Sequence, residues 1–324
     1  MTEAAGTAVG GLRAVGALEL IVVTGKGGVG KSTVAAGLAE ALHRAGRRVL
    51  LCEAEEGGGL ADALEVEGLG FEPTELRPGF HAMAMDTEAS LREYLRIYLR
   101  VPVVGTIGPL ARAFDFVAAA APGVREVLTV GKLCYEVRER RFDVVVVDAP
   151  SSGYVTGLLS APETIRGLVQ VGLIRNQTDW MVDILHNPAR TGLVVVTTPE
   201  EMPVTETLDL LHAINASNGV APALAVANRV LAEPFNARER EAYEAMANRA
   251  ARRSVEELAG AGASAALEAS AALDGVRAQR SAQLPTLARG IGELELAIVP
   301  ELFAVPAGLR MTTLIADALT EELS

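Results

Sequence analysis

Six short apolar runs punctuate the chain: LIVVT (20–24), RRVLLC (47–52), FDVVVVD (142–148), GLVVVTT (192–198), ALAVAN (223–228) and LAIVP (296–300). Each is continuous rather than alternating, the pattern of parallel strands covered on both faces. Between them the apolar period lengthens to that of a helix. Val34, Leu38, Leu42 and Ala45 form one such stripe, and Met311, Leu314, Ile315, Ala318 and Leu319 another near the C-terminus. Strand and helix in repeated alternation predict an α/β fold, a doubly wound and mainly parallel sheet with helices on both faces. Residues 86–140 and 155–190 are mostly helical patterns and are expected as an inserted helical layer beside strand ends, where open α/β sheets place their sites. Residues 1–18 are expected as a flexible tail, leaving 19–324 as one domain.

Composition narrows the function classes. The 324 residues are 50% hydrophobic, enough to bury a large core, and carry 29 basic against 41 acidic side chains for a net charge of −12. That balance argues against nucleic acid and against anionic membrane surfaces as partners, since both require basic patches. No apolar run is long enough to span a bilayer, and the N-terminal segment lacks the apolar core of a signal peptide. Cys52 and Cys134 are the only cysteines. They support no disulfide framework and fit a cytoplasmic protein, one able to work transiently at the inner face of the membrane. His43, His81, His186 and His212 have no metal-ligand spacing.

The chemistry concentrates at GKGGVGKST, residues 25–33. Gly25, four residues, then Gly30-Lys31-Ser32 is the phosphate-binding pattern, set between a predicted strand and a predicted helix as its mechanism requires. Backbone N–H groups can wrap a phosphate only where side chains do not intervene, which accounts for Gly25, Gly27, Gly28 and Gly30. The amides of Val29 and Thr33 complete the wrap. Lys31 is a compact charge suited to the β- and γ-phosphates, and Ser32 is suited to Mg²⁺. The reading is a P-loop nucleoside triphosphatase using ATP and Mg²⁺.

Lys26 and Lys31 are two of only three lysines; the third is Lys132. A lysine directly after the first glycine resembles the variant loop of a dimeric ATPase class, SIMIBI, that includes the MinD, ParA, nitrogenase iron protein and ArsA families. The resemblance implies that Lys26 reaches the phosphates of a partner subunit; the plainer alternative is a solvated loop residue. DAPSSGY (148–154), APGVRE (121–126), TTPEEMP (197–203), VANRV (226–230) and VPELF (299–303) occur in the order found in ArsA-like ATPases and the related escort ATPase for tail-anchored membrane proteins. These motifs run from residue 20 nearly to the C-terminus, and the chain is similar throughout to the ArsA-like family. The similarity implies that Asp148 holds the Mg²⁺ shell through water, that Pro150 and Gly153 belong to a switch with Asp148, and that Asn228, Pro300, Glu301 and Leu302 contact the adenine. In EAEEGGGL (53–60), Glu55 falls where the family has the aspartate that orients the attacking water, with Glu53 two residues earlier. The longer side chain implies slow hydrolysis. Both glutamates otherwise read as solvated loop residues.

The departures carry equal information. Two separated cysteines cannot make a thiolate metalloid site, and the CxxC zinc clamp of the escort ATPase is missing, so neither zinc nor an iron–sulfur cluster is expected. The helical segment 164–188 places Leu168 and Leu173 on one face and Trp180, Met181 and Ile184 on another. The resemblance makes these a layer for a protein client with an apolar helix; the plainer alternative is that the faces pack on each other. Lys132 reads either as a position that rejects guanidinium geometry or as an ordinary surface residue. Two function classes stay open. One is an ATPase, homodimeric or paired with an ArsA-like paralogue, that works as an escort, chaperone or transport accessory. The other is a weakly active regulatory subunit.

Overall fold

The computed structural model describes residues 15–322 except 56, 99–122, 169–172, 218, 232, 234, 247–248, 261 and 304–307. Its strands are β1 Leu20–Gly25, β2 Val49–Glu53, β3 Thr74–Arg77, β4 Phe80–Ala84, β5 Val144–Asp148, β6 Thr191–Thr197, β7 Pro222–Val230 and β8 Leu296–Pro300. They form one sheet in the order β3-β4-β2-β5-β1-β6-β7-β8, parallel except for the edge pair β3–β4. That edge hairpin was not legible in the sequence. TELR is short and wholly exposed, and FHAMA interrupts its apolar residues with His81, so neither has the continuous run of a doubly covered strand.

The central strands repeat Val, Ile and Leu because both of their faces are covered. On β1, Ile21 and Val23 face one core and Leu20 and Val22 the other; on β5, Val144 and Val146 divide from Val145 and Val147 in the same way. The first core lies beneath α1, Lys31–Arg44, and the C-terminal helix Leu309–Glu322. These two helices pack closely. A side chain at Gly37 would overlap Ile315, so glycine there sets the approach of the helices. Burying residues such as Leu38, Leu42, Ile315 and Leu319 contributes about 1.5–3 kcal/mol each. Val15 and Leu18, in the stretch expected as a tail, are buried in this same core. Residues 1–14 lie outside the described residues.

The second core is covered by helices Val124–Glu139, Ser152–Leu168, Leu173–Leu185 and Glu201–Ser217, with Thr87–Tyr98 packed on the first of them. All but Glu201–Ser217 fall in the stretches read as helical at 86–140 and 155–190, of which 99–122 and 169–172 lie outside the described residues. Helices at Ala237–Ala245, Arg249–Ala259 and Gly262–Arg280 stand between β7 and β8, and the last two pack on each other. Among the described residues no helix is long and apolar enough to cross a membrane.

Candidate nucleotide site

The phosphate loop joins the C-terminal end of β1 to α1. Gly25 has φ 154°, and a side chain there would overlap the carbonyl oxygen of Val196 on the neighbouring strand. Gly30 begins α1 at φ 92°, and a Cβ would strike the Asn228 amide. Both positions therefore require glycine for space as well as for backbone angle. No side chain caps α1, and its first turn holds no acidic residue. The first N–H groups of a 14-residue helix are thus left open beside the loop, with the positive end of the helix dipole behind them. Lys31 leans back over the loop, its Nζ 3.5 Å from the carbonyl of Lys26. With Gly28, Ser32, Thr33 and Gly59 it lines a cavity of about 330 Å³.

Asp148 ends β5 between β1 and β2, opposite Val23 and Glu53. Burial pushes its carboxyl up to about 6. The Ser32 hydroxyl, hydrogen-bonded to it, and Lys31 oppose the shift, while Glu53 and Glu55 reinforce it. Its Oδ1 is buried without a hydrogen-bond partner. A buried carboxylate oxygen with no partner is costly, and a hard divalent cation is the kind of group that relieves it. Ser32 and Asp148 thus supply the oxygen donors that suit Mg²⁺. Thr24, which the sequence reading passed over, donates its hydroxyl to the Pro150 carbonyl at 2.7 Å and ties the segment after Asp148 to β1. Gly153 is exposed in the first turn of the following helix.

The two switch glutamates separate. Glu53 is buried, and its Oε1 accepts the Leu60 N–H at 3.0 Å, closing the glycine-rich turn. A side chain at Gly58 would run into that carboxylate. Glu55 is exposed on the turn itself, near enough to act on Asp148 through its charge. Of the two, only Glu55 has a carboxylate directed to solvent.

Asn228 is buried, and its Nδ2 donates to the carbonyl of Val29 at 2.8 Å. Arg229, the residue after Asn228 in VANRV, follows at φ 58° and lines the 330 Å³ cavity together with Asp62 and Gly308, two residues with no motif to announce them. Pro300, Glu301 and Leu302 do not line that cavity. Glu301 instead donates its N–H to the Val230 carbonyl, and Leu302 packs partly against the first core. Lys26 is ion-paired with Glu206 on the helix after β6, and the Ser152 hydroxyl lies 3.5 Å from the other oxygen of Glu206. Nothing in the sequence linked Lys26 to a position 180 residues away.

This constellation agrees with the sequence comparisons. The profile of the anion-transporting ATPase family, ArsA, matches residues 18–182, just over half of the chain. The chain belongs to this family. Its matched region contains the loop, Asp148 and most of the helical layer. The chain is 34% identical over 224 residues to ATPase BagA of Mycobacterium tuberculosis, which covers 66% of each protein, just under two thirds. It is 27% identical over 234 residues to a protein of Halobacterium salinarum named as an arsenical pump-driving ATPase, covering 65% of this chain and 35% of that one. With ATPase get3 of Schizosaccharomyces japonicus the identity is 32% over 151 residues, 46% of this chain and 45% of the other.

The helical layer bears on two readings that the sequence left open. Met181 and Ile184, read as part of a client face, are buried in the second core, because the helix Leu173–Leu185 lies flat against its neighbours. Trp180 is half-buried; its Nε1 donates to Gln177 and the Arg138 guanidinium sits 5.2 Å from its ring. The side chains of Leu168 and Leu173 lie outside the described residues. Met181 also lines a largely apolar cavity of about 340 Å³, with Leu91, Tyr94, Val127, Ile165 and Lys132. Lys132 is no surface residue. It is ion-paired at 2.9 Å with both Glu93 and Glu136 and lies 4.6 Å from the Phe71 ring. Burial alone would lower its pKa, but hydrogen bonds and charge from Glu136 and Glu93 outweigh that and hold it above the ordinary value. A point-like ammonium fits between two carboxylates where a planar guanidinium would not. Both cysteines are buried, and burial pushes the Cys134 thiol up to about 12.

Proposed function

We propose that the protein binds and hydrolyses ATP with Mg²⁺ as a dimer, and that its nucleotide cycle opens and closes the helical layer around an apolar client or partner. The observation that carries this reading is the convergence, at one loop, of uncapped α1 amides, Lys31 and the partnerless oxygen of Asp148. In this reading Gly25 to Thr33 wrap the phosphates, with Lys31 on the β- and γ-phosphates. Ser32, and Asp148 through water, would hold the Mg²⁺, which would neutralise charge on the phosphates. Glu55 orients the attacking water. Lys26 leaves Glu206 to reach the phosphates of the partner subunit. Asn228 and the segment Pro300–Leu302 form the side of the site toward the base. The 340 Å³ cavity among the helices supports a role for that layer in binding apolar groups. Two buried cysteines speak against a thiolate metalloid pump.

The exposure of Glu55, one methylene longer than aspartate, favours a second reading: a weakly active subunit that pairs with a catalytic paralogue. Single-turnover hydrolysis of ATP separates the two. Lys31→Ala is expected to slow the reaction about a hundredfold or more, because phosphoryl transfer depends on charge and positioning. Glu55→Ala is expected to abolish most of the activity, and Glu55→Asp to keep or raise it. An unchanged rate for Glu55→Ala would move the protein to the second class.

A further inference from the structure

The residues Asn228 and Arg229 both reach the phosphate loop, which a regular strand does not allow, since successive side chains point to opposite faces. A break in β7–β8 pairing makes it possible. Ala227 pairs with Ile298 and Val230 with Pro300, so two residues of β7 stand opposite one of β8. Arg229 takes up the extra length in the left-handed backbone region, at φ 58°, an unusual conformation for a side-chain-bearing residue. The bulge turns the exposed Arg229 back toward the loop, where its Nη1 lies 3.3 Å from the Gly28 carbonyl, while Asn228 Nδ2 holds the Val29 carbonyl at 2.8 Å. The Asn228 Oδ1 accepts the Arg229 N–H at 3.0 Å and locks the pair together.

Two consecutive loop carbonyls are thereby held by two consecutive residues of β7. In a trans peptide the C=O and the following N–H point in opposite directions. Fixing the Gly28 carbonyl therefore aims the Val29 N–H, and fixing the Val29 carbonyl aims the Gly30 N–H. We propose that Asn228 and Arg229 are positioning residues that preset the Val29 and Gly30 amides as anion donors, so that the effect of Arg229 falls on the phosphates of the ligand and not on its base. This rests on the reading of the loop as a nucleotide-phosphate site and gives Asn228 a duty in addition to its place toward the base. The strained backbone of Arg229 is maintained because it orients the guanidinium.

The test uses the full chain and three probes with Mg²⁺: ATP, GTP and inorganic tripolyphosphate, titrated by calorimetry. Arg229→Gly tolerates the left-handed backbone and removes the whole side chain with its guanidinium; the side chain is exposed, so thermal unfolding is expected to stay level or rise. ATP and tripolyphosphate are both expected to bind about fivefold more weakly, by the same factor, with the ratio of ATP to GTP affinity unchanged. Arg229→Lys, which restores a single donor, should recover part of the loss for both. Weakened ATP binding with intact tripolyphosphate binding would overturn the proposal and make Arg229 a base contact; unchanged binding of both would overturn it as well. A parent protein that binds neither ATP nor tripolyphosphate would instead overturn the nucleotide reading, and this inference with it.

Discussion

At the phosphate loop, Lys31 is part-exposed beside helix amides that no side chain caps among the described residues, and Asp148 keeps a buried oxygen unpaired. In the helical layer, Lys132 is sealed between Glu93 and Glu136, with Arg141 on the far oxygen of Glu136. Both regions place lysine near carboxylates, yet only the second closes its charges on one another. The open arrangement leaves electrostatic demand that a ligand can meet. The closed one has already met it, and its contribution is to the packing of Thr87–Tyr98 on Val124–Glu139 around an apolar cavity. A lysine's role therefore depends on whether its counter-charges are supplied by the fold or awaited from outside.

The comparison is broken most severely at Lys132. Lys132→Met leaves Glu93 without its cation and the buried Glu136 with Arg141 alone, and is expected to lower stability by about 3–5 kcal/mol in urea unfolding. Adding Glu93→Gln and Glu136→Gln should restore much of it, and a loss under about 1 kcal/mol for the single variant would show that the cluster is not a closed unit. Asp148 is expected to behave in the opposite sense. Its folded carboxyl titrates near 6 against an ordinary 3.8, so the folded chain keeps a proton that the unfolded chain releases between those values. Without metal, stability should fall as pH rises from about 4 to 6 and remain lower above that, by up to about 3 kcal/mol. Asp148→Asn at pH 7 should therefore stabilise the metal-free protein by about 1–3 kcal/mol and remove any stabilisation by Mg²⁺. A variant less stable than its parent would show that the site is satisfied without a cation. The smallest effect is expected at the pair Lys26 and Glu206, which is partly exposed. Glu206→Gln should change unfolding stability by less than about 1 kcal/mol. A loss above about 2 kcal/mol would make the pair a structural bridge rather than a contact from which Lys26 can be released.

The doubly wound sheet was legible because six of its strands carry continuous apolar runs of the kind that double coverage favours. The edge hairpin β3–β4 was not, because one exposed four-residue strand and one interrupted strand resemble loop sequence. At the site, the loop from Gly25 to Thr33 could be read as a unit, since nine contiguous residues hold both the glycines and the charges. Alignment with the family assigned Glu55 and Glu53 different places, but not that Glu53 is tied down by the Leu60 N–H while Glu55 faces water. Met181 and Ile184 were apolar at helical spacing, a pattern that serves a core as well as a groove, and packing placed them in the core.

What the sequence alone determined about this protein is what neighbouring residues do together: the strand periods, the glycine loop with Lys31 and Ser32, and the acidic end of β5. What only the tertiary structure decided is which distant group meets which. Lys26 finds Glu206 180 positions away, Asn228 finds Val29 at 199 and Lys132 finds Glu93 at 39. Local patterns persist in the linear chain because backbone geometry repeats over a few residues. The partners of a charge or a carbonyl depend on crossing connections and helix packing, and no local period records them.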